Sequence, residues 1–403
     1  MTLSASSTTL DKLQALFLCS LFLYPFSAAG HTLYMIPQVL LLALGLVLLP
    51  QSAAATDVSI KVGVFALAIV TSFTAIFREV VAEQPDFLEP AKLFINLSTV
   101  LLLLFLAPVF DPLTCAKWLK RFGMIWLVVV IAAYVYAHTS TWEMLLLLLQ
   151  PEGLTSTRLY EIAEPLAPIF LTKNIVAMYI VAVFGGFLYF RRSSGKSVTL
   201  AEKTAFTLLV VLLFSRQAIL SLALLLSLDY FLGRKKKMQW SAVAVIAVTA
   251  LVVGSFLALA FDFSSPEDGA ATRLDLWRTF FTHWTHYGFT GLGVHQLNAS
   301  LDHLDIDNYH MFFMNQIAAY GIIHTVAFNL LTTFIALWSL PKKICWLLIA
   351  PYWLNVAFQT YGYEYGNLFL FCIAANSCNL NLNQTTQLSF SHGVPAPSSI
   401  QAF

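Results

Sequence analysis

One arginine lies between two apolar stretches of the chain, where a charged side chain is costly. Arg216 falls in the segment Phe214-Ser215-Arg216-Gln217-Ala218, between the apolar runs 204–214 and 218–232. An ionisable side chain at or near membrane depth is expensive, so such a residue indicates a functional site by default. The alternative is that Arg216 only extends from a helix end to the lipid headgroups. We predict that Arg216, with its neighbour Gln217, contacts a ligand.

Five arginines and two lysines fall in segments that the charge distribution, described below, assigns to the outer side of a membrane: Arg78, Lys92, Arg158, Lys173, Arg216, Arg273 and Arg278. The planar guanidinium group suits bidentate binding of phosphate or carboxylate better than the ammonium of a lysine does. A polyanionic ligand on the outer face is the simplest explanation for this set. We expect Arg78 and Arg158 to pair instead with acids close in sequence. Arg278 is expected to pair with Asp275 on a partly solvated helix face.

Histidines are concentrated in one segment of that side, namely His283, His286, His295, His303 and His310. His283 and His286 have helical i,i+3 spacing, but neither HExxH nor a comparable zinc-binding spacing occurs, so we expect no metal site. His310 precedes the apolar run 311–313 at a predicted membrane boundary. A neutral imidazole at this position can accept a proton from a hydroxyl group. A histidine with a purely structural partner is the alternative.

The composition is that of an integral membrane protein. Hydrophobic residues make up 59% and charged residues 11% of 403, and the mean hydropathy is +0.76. So few polar residues cannot cover the surface of a soluble globule of this size. Apolar stretches of about 20 residues recur along the chain, which indicates helices and not the short alternating strands of a barrel. The predicted fold class is all-α, a polytopic bundle of transmembrane helices.

Hydropathy predicts about twelve spans. Their predicted ranges are 13–29, 32–50, 59–77, 93–112, 122–138, 173–190, 203–215, 217–232, 240–261, 310–339, 344–358 and 365–378. With a cytoplasmic N-terminus, 15 basic residues fall inside and 7 outside. Because lysine and arginine are enriched in cytoplasmic loops, this orientation is favoured and Arg216 is expected on the outer side.

The spans divide the chain into four regions. Residues 1–200 form an N-terminal scaffold of helices with an outer loop at 138–172, in which Met144–Leu149 is a candidate short helix. Residues 201–340 form a core with an outer segment at 262–309. The last transmembrane helices occupy 341–378, and a disordered cytoplasmic tail is expected at 379–403 because it lacks apolar periodicity.

The outer segment 262–309 is long enough to carry function and is expected to be structured. Four apolar residues at helical spacing predict an amphipathic helix over Thr272–Trp284, lying on the membrane or over a cavity. These residues are Leu274, Trp277, Phe281 and Trp284. Arg273 is expected beside the apolar edge of this helix. A turn follows at Thr290-Gly291-Leu292-Gly293, whose glycines permit close backbone approach.

Motifs for a serine nucleophile, for nucleotide binding and for nucleic-acid binding are absent from this sequence. We find no GxSxG sequence, no Walker loop and no basic patch for nucleic acid. We therefore expect a reaction that needs neither ATP nor a cofactor. A donor linked to a lipid diphosphate meets that condition, because the leaving diphosphate provides the driving force and requires cationic stabilisation.

Four motifs, in this order, resemble the bacterial O-antigen ligase and O-antigen polymerase superfamily over residues 200–335. They are Ser215-Arg216 at the outer end of a span, Arg273-Leu-Asp-Leu-Trp277 at the start of an outer helix, Gly291-Leu-Gly293, and His310 at the head of a span that reaches Gly321-Ile-Ile. The upstream spans match only as a membrane scaffold.

The resemblance implies a metal-independent, inverting glycosyl transfer of GT-C type at the periplasmic face of the inner membrane. Arg216 and Arg273 would bind the diphosphate of an undecaprenyl diphosphate-linked glycan, and His310 would activate the acceptor hydroxyl. Ligases transfer the glycan to lipid A core oligosaccharide, whereas polymerases transfer it to another lipid-linked unit. Many ligases have asparagine after this histidine, where Met311 stands here. His303 is therefore the alternative histidine.

The hypothesis is an O-antigen ligase of the inner membrane, with Arg216, Arg273 and His310 as catalytic residues. Arg278, His303 and Gln217 complete the expected substrate-binding set. Expected partners are the undecaprenyl diphosphate-linked donor, the lipid A core or glycan acceptor and membrane lipids, and no nucleic acid. A polymerase is the nearest alternative. A transporter or flippase is another, and it would need charged sites or broken helices near the membrane midplane. Gly185-Gly186 and Pro351 are candidate breaks.

Overall fold

The computed structural model describes residues 7–29, 33–48, 58–105, 110–137, 156–170, 172–232, 269–302, 308–339, 343–358, 368–375 and 377. Within these ranges every regular element is helical, which confirms the all-α fold class. The α-helices are α1 (Ser7–Leu23), α2 (Ile36–Leu48), α3 (Val58–Val80), α4 (Leu88–Phe105), α5 (Pro112–Tyr136), α6 (Ser156–Ile162), α7 (Lys173–Ser193), α8 (Leu200–Leu212), α9 (Arg216–Leu232), α10 (Gly269–Tyr287), α11 (Val294–Leu301), α12 (Phe312–Ser339) and α13 (Trp346–Phe358). Residues 368–375 are also helical.

Five of the described helical segments are long and apolar enough to cross a membrane. They are Val62–Val80, Leu88–Phe105, Pro112–Tyr136, Lys173–Ser193 and Phe312–Ala336. Three shorter apolar helical segments accompany them at Gln14–Phe26, Leu33–Gly45 and Trp346–Ala357. Length and composition thus agree with a helical membrane protein, and the count of about twelve spans stays a prediction.

Helix α7 forms the centre of the bundle. All residues from Val176 to Phe190 are buried, and α5, α9 and α13 pack around the helix. A helix that is apolar on every face is typical of such a position. The sequence suggested Gly185-Gly186 as a candidate helix break, but α7 continues through both glycines. A Cβ on Gly185 would lie 2.3 Å from the carbonyl oxygen of Leu347, so the glycine instead allows α13 to approach.

Helices α4 and α5 begin before the residues that the hydropathy ranges predicted, and the reason is clearest for α5. Helix α5 begins at Pro112, although its apolar stretch was predicted to start at residue 122. The Asp111 side chain caps it by accepting a hydrogen bond from the amide of Thr114 at 2.8 Å, and proline suits the first helical turn. Hydropathy marks only the apolar part of a helix, so the basic residues Lys117 and Lys120 lie on α5 and not in a loop.

Two sets of ion pairs connect helices at one end of the bundle. Asp229 of α9 is almost fully buried and pairs with Arg192 at 2.6 Å and with Lys203 at 2.5 Å. Glu202 of α8 pairs with Lys120 at 2.9 Å. Helix α8 starts at this end, α9 returns to it, and α7 ends at it. The start of α9 and the start of α7 therefore lie together at the opposite end.

Several predicted features lie outside the described residues. Among them are His303, the candidate span 240–261, the apolar patch Met144–Leu149 and the tail 379–403. Within the outer segment, the predicted helix Thr272–Trp284 is confirmed as the central part of α10.

Candidate anion-binding site

The connection between α8 and α9 places Arg216 at the first residue of α9. Phe214 adopts a positive φ of 49°, which is uncommon for a non-glycine residue and makes the chain reverse sharply. Ser215 is fully buried, and its hydroxyl group has no hydrogen-bond partner in the part of the chain that the structure describes. Strained backbone and unpaired buried donors are concentrated at functional sites. This connection therefore has the features of a ligand site and not of an ordinary turn.

A lysine lies at the corresponding end of the neighbouring helix. Lys173 is the first residue of α7, and the Thr172 side chain caps that helix by accepting a hydrogen bond from the amide of Ile175. The Lys173 Nζ atom lies 4.1 Å from the centre of the Tyr160 ring. Asn174 donates a 2.8 Å hydrogen bond to the Tyr160 hydroxyl group, which fixes the ring. Tyr160 belongs to α6, so the helix that precedes α7 in the sequence contributes to this place.

Helix α10 carries Arg273 near its start. Leu276 and Phe280 of α10 are buried against the bundle, whereas Phe281 and Trp284 are exposed. At 100° per residue, Arg273 lies between these two faces, and its side chain is partly buried. Arg273 therefore lies at the boundary between the buried and the exposed side of α10.

Arg278 points elsewhere. It lies five residues after Arg273, which is about 140° around the helix. Its side chain is 70% exposed and pairs with Asp275 at 3.1 Å, as the sequence predicted. Arg278 therefore lies on a different side of α10 from Arg273.

Arg216, Arg273 and Tyr160 lie within electrostatic reach of one another. Burial lowers the pKa of Arg273 from 12.5 to about 10; the phenol of Tyr160 opposes this shift and the charge of Arg216 adds to it. Burial raises the pKa of Tyr160, while the charges of Arg273 and Arg216 oppose that shift. Arg273 stays protonated at neutral pH, but its depressed pKa means that burying the charge costs free energy. An anion bound here would offset that cost.

The position of His310 is set by the tyrosine before it. The Tyr309 ring packs edge-on against Phe280 of α10 at 5.3 Å, and its hydroxyl group hydrogen-bonds to that of Tyr287. Burial raises the pKa of both hydroxyl groups. Phe280 lies seven residues, or about 10 Å along the helix axis, from Arg273. His310 is therefore attached to the same outer helix as Arg273, two turns further along.

The backbone at His310 is itself unusual. His310 has a φ of 49°, and its amide donates a 2.8 Å hydrogen bond to the side chain of Asn308. The residue lies two positions before α12 and not inside a helix, and its side chain is partly buried. Phe214 and His310 are the two non-glycine residues with positive φ in the described part of the chain. Each is at or next to a residue that the sequence analysis selected.

The glycine turn packs onto a break in α12. The helix loses helical geometry at Gly321, where φ is 88° and ψ is 172°. The carbonyl groups of Ala318 and Ala319, which the break removes from the helical pattern, accept hydrogen bonds from the amides of Leu292 and Gly293 at 2.8 and 2.9 Å. Broken helices are tolerated in membrane proteins where neighbouring groups satisfy the released backbone. The turn thereby attaches the outer segment to the transmembrane bundle.

Replacing Gly321 by alanine should disrupt this attachment. A Cβ at this residue would lie 2.0 Å from the carbonyl oxygen of Phe289, and the positive φ disfavours any other residue. We expect a loss of more than about 2 kcal/mol of stability, measured as a lowered Tm of the purified protein. Gly63 is the matched control, because a Cβ there meets only ordinary contacts, 3.7 Å from Phe334. An unchanged Tm for Gly321→Ala would show that the contact is easily relieved.

A second attachment joins α3 to the outer segment. Arg78 donates hydrogen bonds to the carbonyl oxygen of Leu292 and to the side chain of Gln296. The fully buried carboxylate of Glu79 accepts from the amides of Val294 and Asp86 at 3.0 and 2.8 Å. The expectation that Arg78 pairs with a neighbouring acid is thus wrong for the described residues. Glu79 instead caps α11, and Arg78 holds the turn.

Polar side chains surround the second half of the broken helix. His324 is fully buried, with Nδ1 3.0 Å from the carbonyl oxygen of Thr71 and Nε2 2.9 Å from the side-chain oxygen of Gln316. The Thr74 hydroxyl group lies 3.1 Å from Nδ1. Each ring nitrogen of His324 therefore has a partner within the bundle, and the arrangement connects α3 with α12.

The structure thus places Arg216 and Arg273 within electrostatic reach of each other and adds two residues that the site prediction omitted, Lys173 and Tyr160. A signal for Lys173 exists in the sequence, since a lysine begins a helix that is apolar on every face. The arrangement can attract and hold a polyanion.

Among the described residues no group of three or more histidine, cysteine or acidic side chains could hold a metal ion. No protein-family model matches this chain, and a search of curated proteins gives no match either.

Proposed function

We propose that this protein is a membrane glycosyltransferase of the O-antigen ligase type. It transfers a glycan from undecaprenyl diphosphate to lipid A core oligosaccharide at the periplasmic face of the bacterial inner membrane. The observation that carries the proposal is that Arg216 and Arg273 lie within electrostatic reach of each other at one end of an apolar helical bundle. Two guanidinium groups, one of them held at a cost in free energy, fit a diphosphate, which can accept several charge-assisted hydrogen bonds.

In this proposal the arginines act on the leaving group. Negative charge develops on the diphosphate as the bond to the sugar breaks, and preorganised cations stabilise that charge. Arg216 lies at the N-terminus of α9, where the helix dipole also favours an anion. No nucleotide or cofactor is needed, because the energy is in the donor.

His310 is proposed to act on the acceptor. Its attachment to α10 through Tyr309, about two helical turns from Arg273, supports a place on the same side of the bundle as the arginines. The imidazole would take the proton of the attacking hydroxyl group, so that attack and departure occur at opposite faces of the sugar. Displacement of this kind inverts the configuration at the anomeric carbon.

The test is transfer by the purified protein in a defined bilayer. The protein is reconstituted with undecaprenyl diphosphate-linked glycan and rough lipopolysaccharide, without nucleotide or added metal. We expect glycan attached to core and free undecaprenyl diphosphate in equal amounts. Product in which donor units are joined to one another, with core unmodified, would instead identify a polymerase. No product of either kind with correctly folded protein would refute the proposal.

One observation favours a second candidate, a transporter of a lipid-linked or anionic solute. The break in α12 at Gly321, beside the buried polar group around His324, is the kind of discontinuous helix that transporters use for binding. Among the described residues, however, the buried partners of His324 are neutral. Movement of labelled lipid across the same vesicles in the absence of transfer would support this candidate over the enzyme.

A further inference from the structure

Lys173 is an unusual residue for its surroundings. Only 7% of the residue is exposed, and its ammonium group has no hydrogen-bond partner in the described part of the chain. A buried ammonium without a partner is costly, and such groups normally pair or are replaced. Its position as the first residue of α7 adds to the cost, because a cation at a helix N-terminus opposes the helix dipole.

The contacts that Lys173 does make orient it but do not neutralise it. Its Nζ atom lies 4.1 Å above the Tyr160 ring, whose hydroxyl group is held by Asn174. A cation over an aromatic face is weakly stabilised and keeps its hydrogen-bonding protons free. Arg216, at the start of the packed helix α9, lies within electrostatic reach and repels it. Among the described residues no acceptor takes the protons of the ammonium group, so they are available to a ligand.

We propose that Lys173 is the third cation of the site and directly binds a phosphate group of a lipid-linked diphosphate, with Tyr160 as the residue that positions it. This inference rests on the proposed function for the identity of the ligand. The paired guanidinium groups and the ammonium group complement one another, because a diphosphate offers bidentate edges to arginine and a single oxygen to lysine. The burial of Lys173 and the partial burial of Arg216 and Arg273 beside apolar helices fit a phosphate carried on a lipid chain.

The structure also explains why such a lysine would be kept. Without ligand, the buried charge and its repulsion by Arg216 destabilise the protein. With a diphosphate bound, the same charge forms a desolvated ion pair with several hydrogen bonds. A lysine with only a structural role would stabilise the protein without ligand, so stability and binding respond differently in the two cases.

The test compares Lys173→Met with Lys92→Met in the full-length protein in nanodiscs. Methionine keeps the apolar stem and removes the charge. Lys92 is the matched control, because it is predicted on the same side and pairs with Glu89 at 2.6 Å. The probes are undecaprenyl diphosphate without glycan and inorganic pyrophosphate. We expect Lys173→Met to weaken binding of the lipid diphosphate about 10- to 100-fold, with an unchanged or higher Tm without ligand. Lys173→Arg should recover part of the affinity, and Lys92→Met should bind normally.

Each result decides one question. Normal binding of both probes by Lys173→Met, with a lowered Tm, would overturn the inference and make Lys173 structural. Lost binding of pyrophosphate and lipid diphosphate alike would support a site that reads the diphosphate itself. Lost binding of the lipid alone would support recognition of the diphosphate only when it is presented at the membrane. Glycan transfer is measured separately, so its absence would refute the proposed function while the binding result still decides the role of Lys173.

Discussion

Replacement of Arg216 by alanine should lower glycan transfer about 100- to 1,000-fold while the protein stays folded. Arg216 is the first residue of α9, and its charge acts on both Arg273 and Tyr160. Removing one preorganised cation leaves the developing diphosphate charge without its partner, and the buried Arg273 cannot move to replace it. In cells the expected result is polymer that accumulates on its lipid carrier, with lipopolysaccharide core left unmodified.

The fold should tolerate this change well. Arg216 and Arg273 repel each other, so replacing Arg216 by alanine removes an unfavourable electrostatic interaction. The Tm should therefore be equal or higher. Arg216→Lys should restore part of the rate, because it keeps the charge without the bidentate geometry. The matched control is Arg121→Ala, which removes an arginine that lies over the Trp118 ring on α5. Full-length ligation at wild-type rate by Arg216→Ala would remove this residue from the mechanism.

Replacement of His310 by asparagine should lower the rate of transfer about 100- to 10,000-fold. Asparagine is the suitable substitution because it tolerates the positive φ of this residue, so the backbone before α12 should keep its conformation. The loss should appear in kcat, with binding of the donor lipid unchanged, because the imidazole is proposed to act on the acceptor hydroxyl group. Measurements of kcat and of lipid diphosphate binding on the same preparation separate the two effects.

Two other histidines make this experiment specific. His295 is exposed on α11 and serves as the matched control, for which His295→Ala should retain full activity. His303 is the alternative candidate from the sequence and lies outside the described residues. If His303→Ala is inactive and His310→Asn is active, the proton acceptor is His303. If both are active, the reaction proceeds without a histidine base.

Local sequence patterns predicted the elements around the site well. Apolar spacing at Leu274 and Phe281 predicted α10, because helix periodicity is a local property of a few turns. The glycines at 291 and 293 predicted close backbone approach, and a Cβ on Gly291 would indeed lie only 2.4 Å from the carbonyl oxygen of Ala319. The exposed pair of Arg278 with Asp275 likewise followed from i,i+3 spacing.

The sequence did not reveal which groups would meet across the bundle. Hydropathy assigned Lys173 to a span boundary, where a lysine usually reaches water or headgroups. The structure instead encloses its ammonium group beside Tyr160 from the preceding outer loop. Glycine in a span was likewise ambiguous, because it serves both helix packing and helix breaking. Gly185 proved to be a packing residue and Gly321 a break.

By itself, therefore, the sequence determined that this protein is all-α and apolar enough for a membrane, and it identified Arg216, Arg273 and His310 as residues of interest. Only the tertiary structure brought Arg216 and Arg273 together, added Lys173 to them and placed the glycine turn on the break in α12. The physical reason is that helical periodicity and hydropathy depend on neighbours within a few turns. The free energy of a buried charge depends on which helices surround it, and packing alone decides that.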